Sequence, residues 1–425
     1  MKILVWQWGR IGAGPRFGAC LAEALRDRPG IEVTLSLCRN AEIMLGPNPP
    51  RCEMPVRTYG GMASFILRLV TAPAALPFLL LRLRRRAPDL AICAMPGPLD
   101  LLMAVALRLL GTRLVVVVHD ADGHPGDGFP LQMTLQRLLC RCAEGLAVLC
   151  GHVGTRLRQQ GLAGTGARKL IRFEHPPFAF DPLMPDDRTA AEQHPQPPTE
   201  PERPHGVRPQ GVRPQGVRPP EGRGARPRRL LCFGRLLPYK GLDLLARALA
   251  SLPPDAEVAV RVVGSGPECP ALDALRACRG VTVENRWVPE TEIGSLLAGS
   301  DALILPYREA SQSGVAAAAL AAGRPVIATC VGGLREQLSA TPHAVLCEPR
   351  AESLAGAIGQ WLRAPIQVVP RVDATAAWRE AVSALLLGIA SSVPMRPRPG
   401  KKPIVPDLYD WVFRLPGRRS RRTTR

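Results

Sequence analysis

Short apolar runs alternate with amphipathic helical patterns along most of this chain, and this alternation restricts its fold more than any other feature. It is typical of parallel sheets that carry helices on both faces. The runs form two series, and residues 185–229, which are rich in Pro, Gly, Arg and Gln, lie between them. A chain of 425 residues is long enough for two domains with separate cores. The sequence therefore predicts an α/β protein in which two Rossmann-like domains face each other.

Eleven apolar runs are predicted strands, five in the first series and six in the second. They are Ile3–Trp6, Glu32–Leu37, Leu90–Ala94, Leu114–Val118 and Leu146–Leu149, then Leu230–Gly234, Ala259–Gly264, Val281–Asn285, Ala302–Pro306, Val326–Thr329 and Ala344–Cys347. An apolar face that includes Trp378, Val382 and Leu385 predicts a helix over Ala374–Ile389. The expected boundaries are 1–184 for the first domain, 230–369 for the second, 370–392 for a helical segment and 393–425 for a basic tail.

The segment between the domains, residues 185–229, contains a tandem pentapeptide repeat whose copies begin at Gly206, Gly211 and Gly216. It has almost no apolar residues to bury, which predicts a disordered or extended linker. A functional arginine-rich arm is the alternative.

The net charge of +19 is concentrated in three segments. Residues 395–425 carry +8, residues 68–86 carry +5 and residues 185–229 carry +3. Because these are predicted flexible or apolar segments rather than a folded face, the charge favours attraction to a membrane surface over the reading of DNA. No nucleic-acid partner is therefore expected, and a nucleic-acid binder would depend on the linker and tail alone.

Residues Phe65–Arg86 combine an apolar helical face with arginines, and they are predicted to hold the protein on an anionic bilayer. The apolar stretch Leu69–Leu81 contains two prolines and is predicted to be too short to span a membrane. A helix buried in the first domain is the alternative. Scattered cysteines and a start without a signal-peptide pattern predict a cytoplasmic protein, attached peripherally to the inner face of the cytoplasmic membrane.

Two glycine-bearing turns follow the first two strands of the second series. Gly234-Arg235-Leu-Leu-Pro-Tyr-Lys240-Gly241 places two cations where an open α/β sheet binds ligands. Fixed cations at that position suit a leaving diphosphate, although solvated surface charges are the alternative. The second turn carries Gly264 and Gly266, which allow a ligand close to the backbone; an ordinary tight turn is the alternative.

The most specific turn follows the strand that ends at Pro306. Glu309 comes first, and Ser311-Gln-Ser313-Gly314 then opens an alanine-rich helix. The serines cap that helix, while the N–H groups of Gly314 and Val315 in its first turn are expected to hold a phosphate. A fourth segment, Gly323-Arg-Pro-Val-Ile-Ala with Gly332-Gly333 behind it, completes the series.

The first series carries two further candidate loops. A turn with Gly12 and Gly14 follows the first strand, although no acidic residue completes a dinucleotide fingerprint. His119-Asp120-Ala-Asp122 follows the four-valine strand. His119 is interpreted as a cleft histidine, with a metal site on Asp120 and Asp122 or a purely structural loop as the alternatives.

The four segments of the second series, which begin at Gly234, Val263, Glu309 and Gly323, resemble in this order the donor half of glycosyltransferase family 4. This is a retaining family with the two-domain GT-B fold. The resemblance covers residues 230–365 well and residues 1–180 more loosely. It implies that Arg235 and Lys240 bind the donor phosphates, that Glu309 orients the donor sugar and that His119 lies near it. It also places Gly12, Gly14 and the turn at Val288 near the donor. No metal or cofactor is expected, and the helix over 370–392 is expected to cross back to the first domain.

One departure concerns a second glutamate, which the family pattern places eight positions after the first to hold the ribose. Here that place falls on Ala317, or on Ala318 if one residue is gapped. A subset of the family with a Ser-Gln-Ser-Gly turn tolerates this loss. The resemblance implies hexose transfer from a nucleoside diphosphate sugar to a lipid-linked or polysaccharide acceptor. A catalytically weak nucleotide-sugar-binding or scaffolding relative is the alternative.

Overall fold

The computed structural model describes residues 1–126, 128, 131–163, 170–180, 226–364 and 369–392. Most of the expected linker, with its pentapeptide repeat, and the expected tail at 393–425 lie outside these residues. The described chain forms two sheets of six strands each, and every strand pairing is parallel. The predicted α/β architecture with two Rossmann-like domains is confirmed.

The N-terminal sheet has the strand order β2-β1-β3-β4-β5-β6. Its strands are β1 (Lys2–Gln7), β2 (Glu32–Leu37), β3 (Leu90–Cys93), β4 (Arg113–Val118), β5 (Gly145–Val148) and β6 (Leu170–Arg172). The helices around it are α1 (Ala13–Arg26), α2 (Glu42–Leu45), α3 (Met62–Arg86), α4 (Asp100–Leu109), α5 (Gln132–Cys142) and α6 (Gly151–Gln159). Strands β3 and β5 are buried along their whole length, as expected of a parallel sheet covered on both faces.

The C-terminal sheet has the order β12-β11-β10-β7-β8-β9, so the strand order reverses between β7 and β10. Its strands are β7 (Arg228–Phe233), β8 (Val258–Gly264), β9 (Val281–Asn285), β10 (Ala302–Leu305), β11 (Val326–Thr329) and β12 (Ala344–Cys347). The helices are a short 3-10 helix (Pro238–Lys240), α7 (Leu242–Ala250), α8 (Pro270–Ala277), α9 (Glu290–Ala298), α10 (Gly314–Ala321), α11 (Gly332–Ser339), α12 (Ala351–Arg363) and α13 (Ala374–Ser392). Open α/β sheets bind ligands at such a reversal.

All eleven predicted strands are present, with ends that differ by at most two residues. Strand β7 begins at Arg228, inside the segment assigned to the linker, because Asp301 fixes its start: the Asp301 carboxylate accepts a hydrogen bond from Arg229 N at 2.8 Å and pairs with Arg226. Sequence reasoning missed β6, a three-residue edge strand of which only Ile171 is buried.

Helix α13 packs against α1 and β6 of the N-terminal domain rather than against its own domain. Its Trp378 indole N–H donates to the carbonyl oxygen of Pro177 at 3.0 Å. Trp378 also packs on Phe17 of α1, with 5.1 Å between ring centroids. The last described helix thus ties the C-terminal segment to the first domain.

The two domains also meet where β5 and β11 end. Glu336 of α11 accepts hydrogen bonds from the N–H groups of Gly151 and His152 at 2.7 and 2.8 Å, and so caps the start of α6 in the other domain. Its carboxylate also pairs with Arg172 at 3.1 Å. These contacts join the C-terminal domain to the N-terminal domain.

Helix α3 is the main departure from the expected fold. The predicted apolar stretch was judged too short to span a membrane, but α3 runs for 25 residues through Pro73 and Pro77. Among the described residues it is the one helix long and apolar enough to cross a membrane, by length and composition only, and 6% of its most apolar window is buried. The alternative of a buried helix is therefore wrong for most of its length, because Leu79 and Leu83 are the only buried residues among the side chains of α3 that the structure describes.

Candidate active site

A cleft of about 450 Å³ lies between the domains, where β7 and β10 end. It is lined by eleven of the fourteen residues that the sequence assigned to the site: Gly12, Gly14, His119, Gly234, Arg235, Lys240, Gly264, Val288, Ser313, Gly314 and Val315. Glu309, Gly266 and Ser311 are not among its lining residues. Turns from both halves of the sequence therefore meet in one place, whereas no residue of the fourth segment (Gly323–Ala328 with Gly332 and Gly333) is among the lining residues.

The cationic turn follows β7. Arg235 donates a hydrogen bond from its guanidinium to the Tyr239 hydroxyl at 3.1 Å. The Lys240 ammonium lies over the ring of Tyr307, 3.7 Å from its centroid. Burial lowers the pKa of Lys240 from its ordinary value, and the neighbouring Arg235 charge adds to this shift. Two cations held this close together favour an anionic ligand.

The second glycine turn packs on the first. Gly264 has a φ of +158°, and a Cβ at this position would overlap the carbonyl oxygen of Gly234. A Cβ at Gly266 would likewise overlap the Leu236 carbonyl, and Gly266 N donates to Asn285 Oδ1 at 3.0 Å. The structure thus favours the tight-turn interpretation for Gly266, while Gly264 both packs and lines the cleft.

Helix α10 begins beside the cationic turn. A Cβ at Gly234 would lie 3.5 Å from Val315 Cγ2, so the two turns are neighbours. Ser313 caps the helix, since its hydroxyl accepts a hydrogen bond from Ala316 N at 3.2 Å. The N–H groups of Gly314 and Val315 lie in the first turn, which has no preceding helical carbonyl to accept them. Ser311 is buried behind them, where its carbonyl accepts from Cys150 Sγ at 3.0 Å.

His119 is buried at the base of the cleft. Its Nε2 lies 2.9 Å from the carbonyl oxygen of Ala94, and its Nδ1 lies 3.1 Å from Gln312 Nε2 in the other domain. Burial lowers the pKa of His119 to about 4, so the ring is neutral near pH 7. Because a neutral ring donates from one nitrogen, Nε2 donates to Ala94 and Nδ1 accepts from Gln312. Both nitrogens are thus engaged, and the ring lines the cleft through its carbon edge.

The carboxylates of Asp120 and Asp122 point to different partners. Asp120 Oδ1 lies 3.2 Å from His124 Nε2. Asp122 accepts hydrogen bonds from Arg156 at 2.7 Å and from Gln160 at 2.8 Å. Among the residues that the structure describes, no three His, Cys, Asp or Glu side chains are grouped as metal ligands.

Several cleft residues were not assigned from the sequence. Arg16 of α1 pairs with Glu290 of the other domain, and Glu290 N donates to Glu42 Oε1 at 2.8 Å. Trp287 is 41% exposed and lines the cleft next to Val288. A signal existed for Trp287, which lies in the turn already singled out at Val288. The pairing of Arg16 with Glu290 spans 274 positions and has no local sequence signal.

The place of the missing second glutamate is visible in α10. Ala318 lines the cleft and Ala317 is buried behind it. Side chains that end in a methyl group offer no acceptor for a ribose hydroxyl. The departure seen in the sequence therefore persists in the folded site.

An α/β protein with two facing Rossmann-like domains and a cationic cleft between them has the architecture of a GT-B glycosyltransferase. The family description "Glycosyl transferase 4-like domain" matches residues 12–168, and "Glycosyl transferases group 1" matches residues 227–364. The chain belongs to glycosyltransferase family 4 and is a transferase enzyme.

Individual relatives agree with this assignment. The chain is 29% identical to a 2-deoxystreptamine glucosyltransferase of Streptomyces kanamyceticus over 70% of this chain and 74% of that protein. It is 31% identical to a GDP-mannose:glycolipid 4-beta-D-mannosyltransferase of Xanthomonas campestris pv. campestris over 24% of this chain and 30% of that protein. The fold is similar to that of Anabaena HepE, solved in complex with UDP, with a TM-score of 0.58, 18% identity and coverage of 93% and 96% of the two chains.

Proposed function

We propose that this glycosyltransferase moves a hexose from a nucleoside diphosphate sugar to a lipid-linked or polysaccharide acceptor, in the synthesis of a cell-surface polysaccharide. The observation that carries the proposal is the adjacency of two cations, Arg235 and Lys240, to the first turn of α10. Cations and unpaired N–H groups at a helix start together suit a diphosphate. The UDP complex of the similar Anabaena protein is in keeping with such a donor.

The reaction is proposed to retain the anomeric configuration without a protein nucleophile. The departing phosphate draws the acceptor proton on the same face of the sugar, and Arg235 and Lys240 stabilise the charge that develops on it. His119 is neutral with both nitrogens engaged, so it shapes the sugar site rather than exchanging a proton. Proton NMR of the first product formed tests this point: the anomer of the donor is expected, and the opposite anomer would contradict retention.

The proposed activity is tested with purified protein and a panel of UDP, GDP and ADP sugars. Release of nucleoside diphosphate that depends on both donor and acceptor supports the proposal. Binding of the nucleotides without release would instead favour the weak or scaffolding relative suggested by Ala317 and Ala318. The absence of both would contradict the assignment of the cleft.

Turnover is expected to survive chelation of divalent metals. Arg235 and Lys240 supply positive charge at the leaving group, the role that a metal ion fills in other transferases. Nucleoside diphosphate release is compared with and without EDTA, and again after Mg²⁺ or Mn²⁺ is restored. Loss of nucleoside diphosphate release with EDTA, and its recovery with either ion, would contradict the proposal. It would favour the alternative that Asp120 and Asp122 bind a metal.

We further propose that α3 holds the protein on the inner face of the cytoplasmic membrane. The helix contains no acidic residue, and four arginines lie in its last five positions, Arg82–Arg86. Large apolar side chains are exposed along one side, including Val70 at 71% and Phe78 at 73%. An exposed apolar face that ends in a cationic cluster suits an anionic bilayer, which would also present a lipid-linked acceptor.

The protein is expected to sediment with vesicles that contain anionic phosphatidylglycerol and not with neutral phosphatidylcholine vesicles. High salt should release it, because each well-placed basic residue contributes about 1 kcal/mol of electrostatic attraction. A Val70→Asp, Phe78→Asp variant should bind less, whereas the control Val372→Asp, at an exposed apolar residue beside α13, should not. Equal binding to both vesicle types, or none at low salt, would contradict membrane attachment.

A further inference from the structure

His124 lies between two carboxylates that belong to different domains. Its Nε2 is 3.2 Å from Asp120 Oδ1 in its own loop, and its Nδ1 is 3.6 Å from Glu309 Oε2, which follows β10. The imidazole also stacks on Tyr239, with 4.5 Å between ring centroids and 14° between ring planes. No other described residue connects Asp120 with Glu309 in this way.

The loop that carries His124 is shaped to reach the other domain. Gly126, two residues later, has a φ of +79°, and a Cβ there would lie 3.3 Å from Pro238 Cδ. The His124 side chain is 13% exposed, while Asp120 and Glu309 are about half exposed. The His124 ring is thus largely enclosed by protein, while both carboxylates are partly exposed.

The chemistry of imidazole explains why a histidine suits this position. The protonated ring donates from both nitrogens and can satisfy two carboxylates at once, whereas the neutral ring donates to only one. We propose that His124 is a positioning residue that joins Asp120 of the N-terminal domain to Glu309 of the C-terminal domain. It thereby orients the Glu309 carboxylate, which lies next in sequence to the cleft-lining Ala310. This inference rests on the proposed function in one respect, which is that Glu309 acts on the donor sugar.

The charges around His124 set the direction of its titration. The hydrogen bond to Asp120 raises the pKa of His124 above its ordinary value, and the charges of Asp120 and Glu309 add to this against the effect of burial. His119 in the same loop is neutral, and Tyr239 from the 3-10 helix faces the ring, with Arg235 and Lys240 beyond it. A raised pKa means that the bridge is complete below pH 6.5 and is lost as pH rises through the folded-state pKa.

The bridge is tested first without any activity. The chain has seven histidines, so ¹³C-labelled histidine signals can be titrated by NMR and assigned through His124→Gln. The pKa of His124 is expected to lie above 6.5 and to fall by about half a unit in Glu309→Gln, the scale of one partly exposed ion pair. Asp122→Asn, the matched control, should leave it unchanged. A His124 pKa that is the same in the wild-type protein and in Glu309→Gln would overturn the proposal.

The second test separates positioning from folding. His124→Phe keeps the stacking on Tyr239 but removes both hydrogen-bond donors. It is expected to lower kcat about tenfold, because the contact that orients Glu309 is lost. The affinity for UDP and GDP should stay within twofold of the wild-type value, because the phosphate site is unchanged. The alkaline fall of the wild-type kcat should disappear in this variant, and His124→Gln should restore part of the rate.

Unchanged kcat and pH dependence in His124→Phe would contradict the positioning role. So would an equal loss of UDP and GDP binding, which would mark a structural effect on the cleft. If the wild-type protein binds neither nucleotide, the proposed donor site fails, while the NMR titration still decides whether the bridge exists.

Discussion

Replacing either Arg235 or Lys240 with alanine is expected to lower kcat by about 10²–10³, the scale of one lost electrostatic stabiliser in a preorganised site. Both side chains line the cleft, and the turn that carries them lies next to the start of α10 at Gly234. The Lys240 ammonium is further fixed by the ring of Tyr307, so its charge is held in place before the reaction begins. Steady-state kinetics with the preferred donor measure the effect.

The control for these two variants is Arg247→Ala. Arg247 lies on α7 and pairs with Asp243 at 3.2 Å on the exposed surface, with 63% of its side chain accessible. Surface ion pairs contribute little, so this variant should keep its turnover and melting temperature. Turnover near the wild-type value in both Arg235→Ala and Lys240→Ala, with all three proteins folded, would contradict the assignment of the phosphate site.

The Gly264→Ala variant is expected to be destabilised by about 2–5 kcal/mol, the sum of a strained backbone conformation and a steric overlap. The φ of +158° is unfavourable for alanine, and its Cβ would overlap the carbonyl oxygen of Gly234. The two turns that line the cleft would have to separate, so donor binding should weaken as well. Urea unfolding followed by circular dichroism, together with UDP and GDP titrations, measures both effects.

Gly111→Ala provides the matched control, because Gly111 has a φ of +66° but no atom within 4 Å of the position that a Cβ would take. Gly111→Ala introduces the backbone strain without the steric overlap, and this strain should lower the free energy of unfolding by about 1 kcal/mol. A Gly264→Ala protein no less stable than Gly111→Ala would show that the packing of the Gly264 turn on the Gly234 turn is not needed.

The strands and the cleft could be predicted because both have local signals. A buried parallel strand is a short apolar run, and the turns at Gly234 and Ser313 follow such runs directly. The reversal of strand order between β7 and β10 brings those turns together. Knowledge of the strand ends and of the expected topology was therefore enough to place eleven of the fourteen assigned residues in the cleft.

Contacts between the domains could not be predicted in the same way. The pairing of Glu309 with His124 and of Arg16 with Glu290 depends on how two separately folded sheets face each other, which no local pattern encodes. The length of α3 was underestimated because the apolar stretch Leu69–Leu81 ends at Arg68 and Arg82, whereas the helix continues beyond both arginines. The pentapeptide repeat remains a sequence prediction, since it lies outside the described residues.

The central claim is that the cleft between the two domains is the donor site, and hydrogen–deuterium exchange with and without UDP, GDP or ADP tests it most directly. At least one nucleotide is expected to protect three stretches that line the cleft: 234–241, 287–290 and the first turn of α10 at 313–318. The same peptides should show no protection in the Arg235→Ala, Lys240→Ala double variant. Protection confined to peptides outside these stretches, or unchanged by the double variant, would contradict the account.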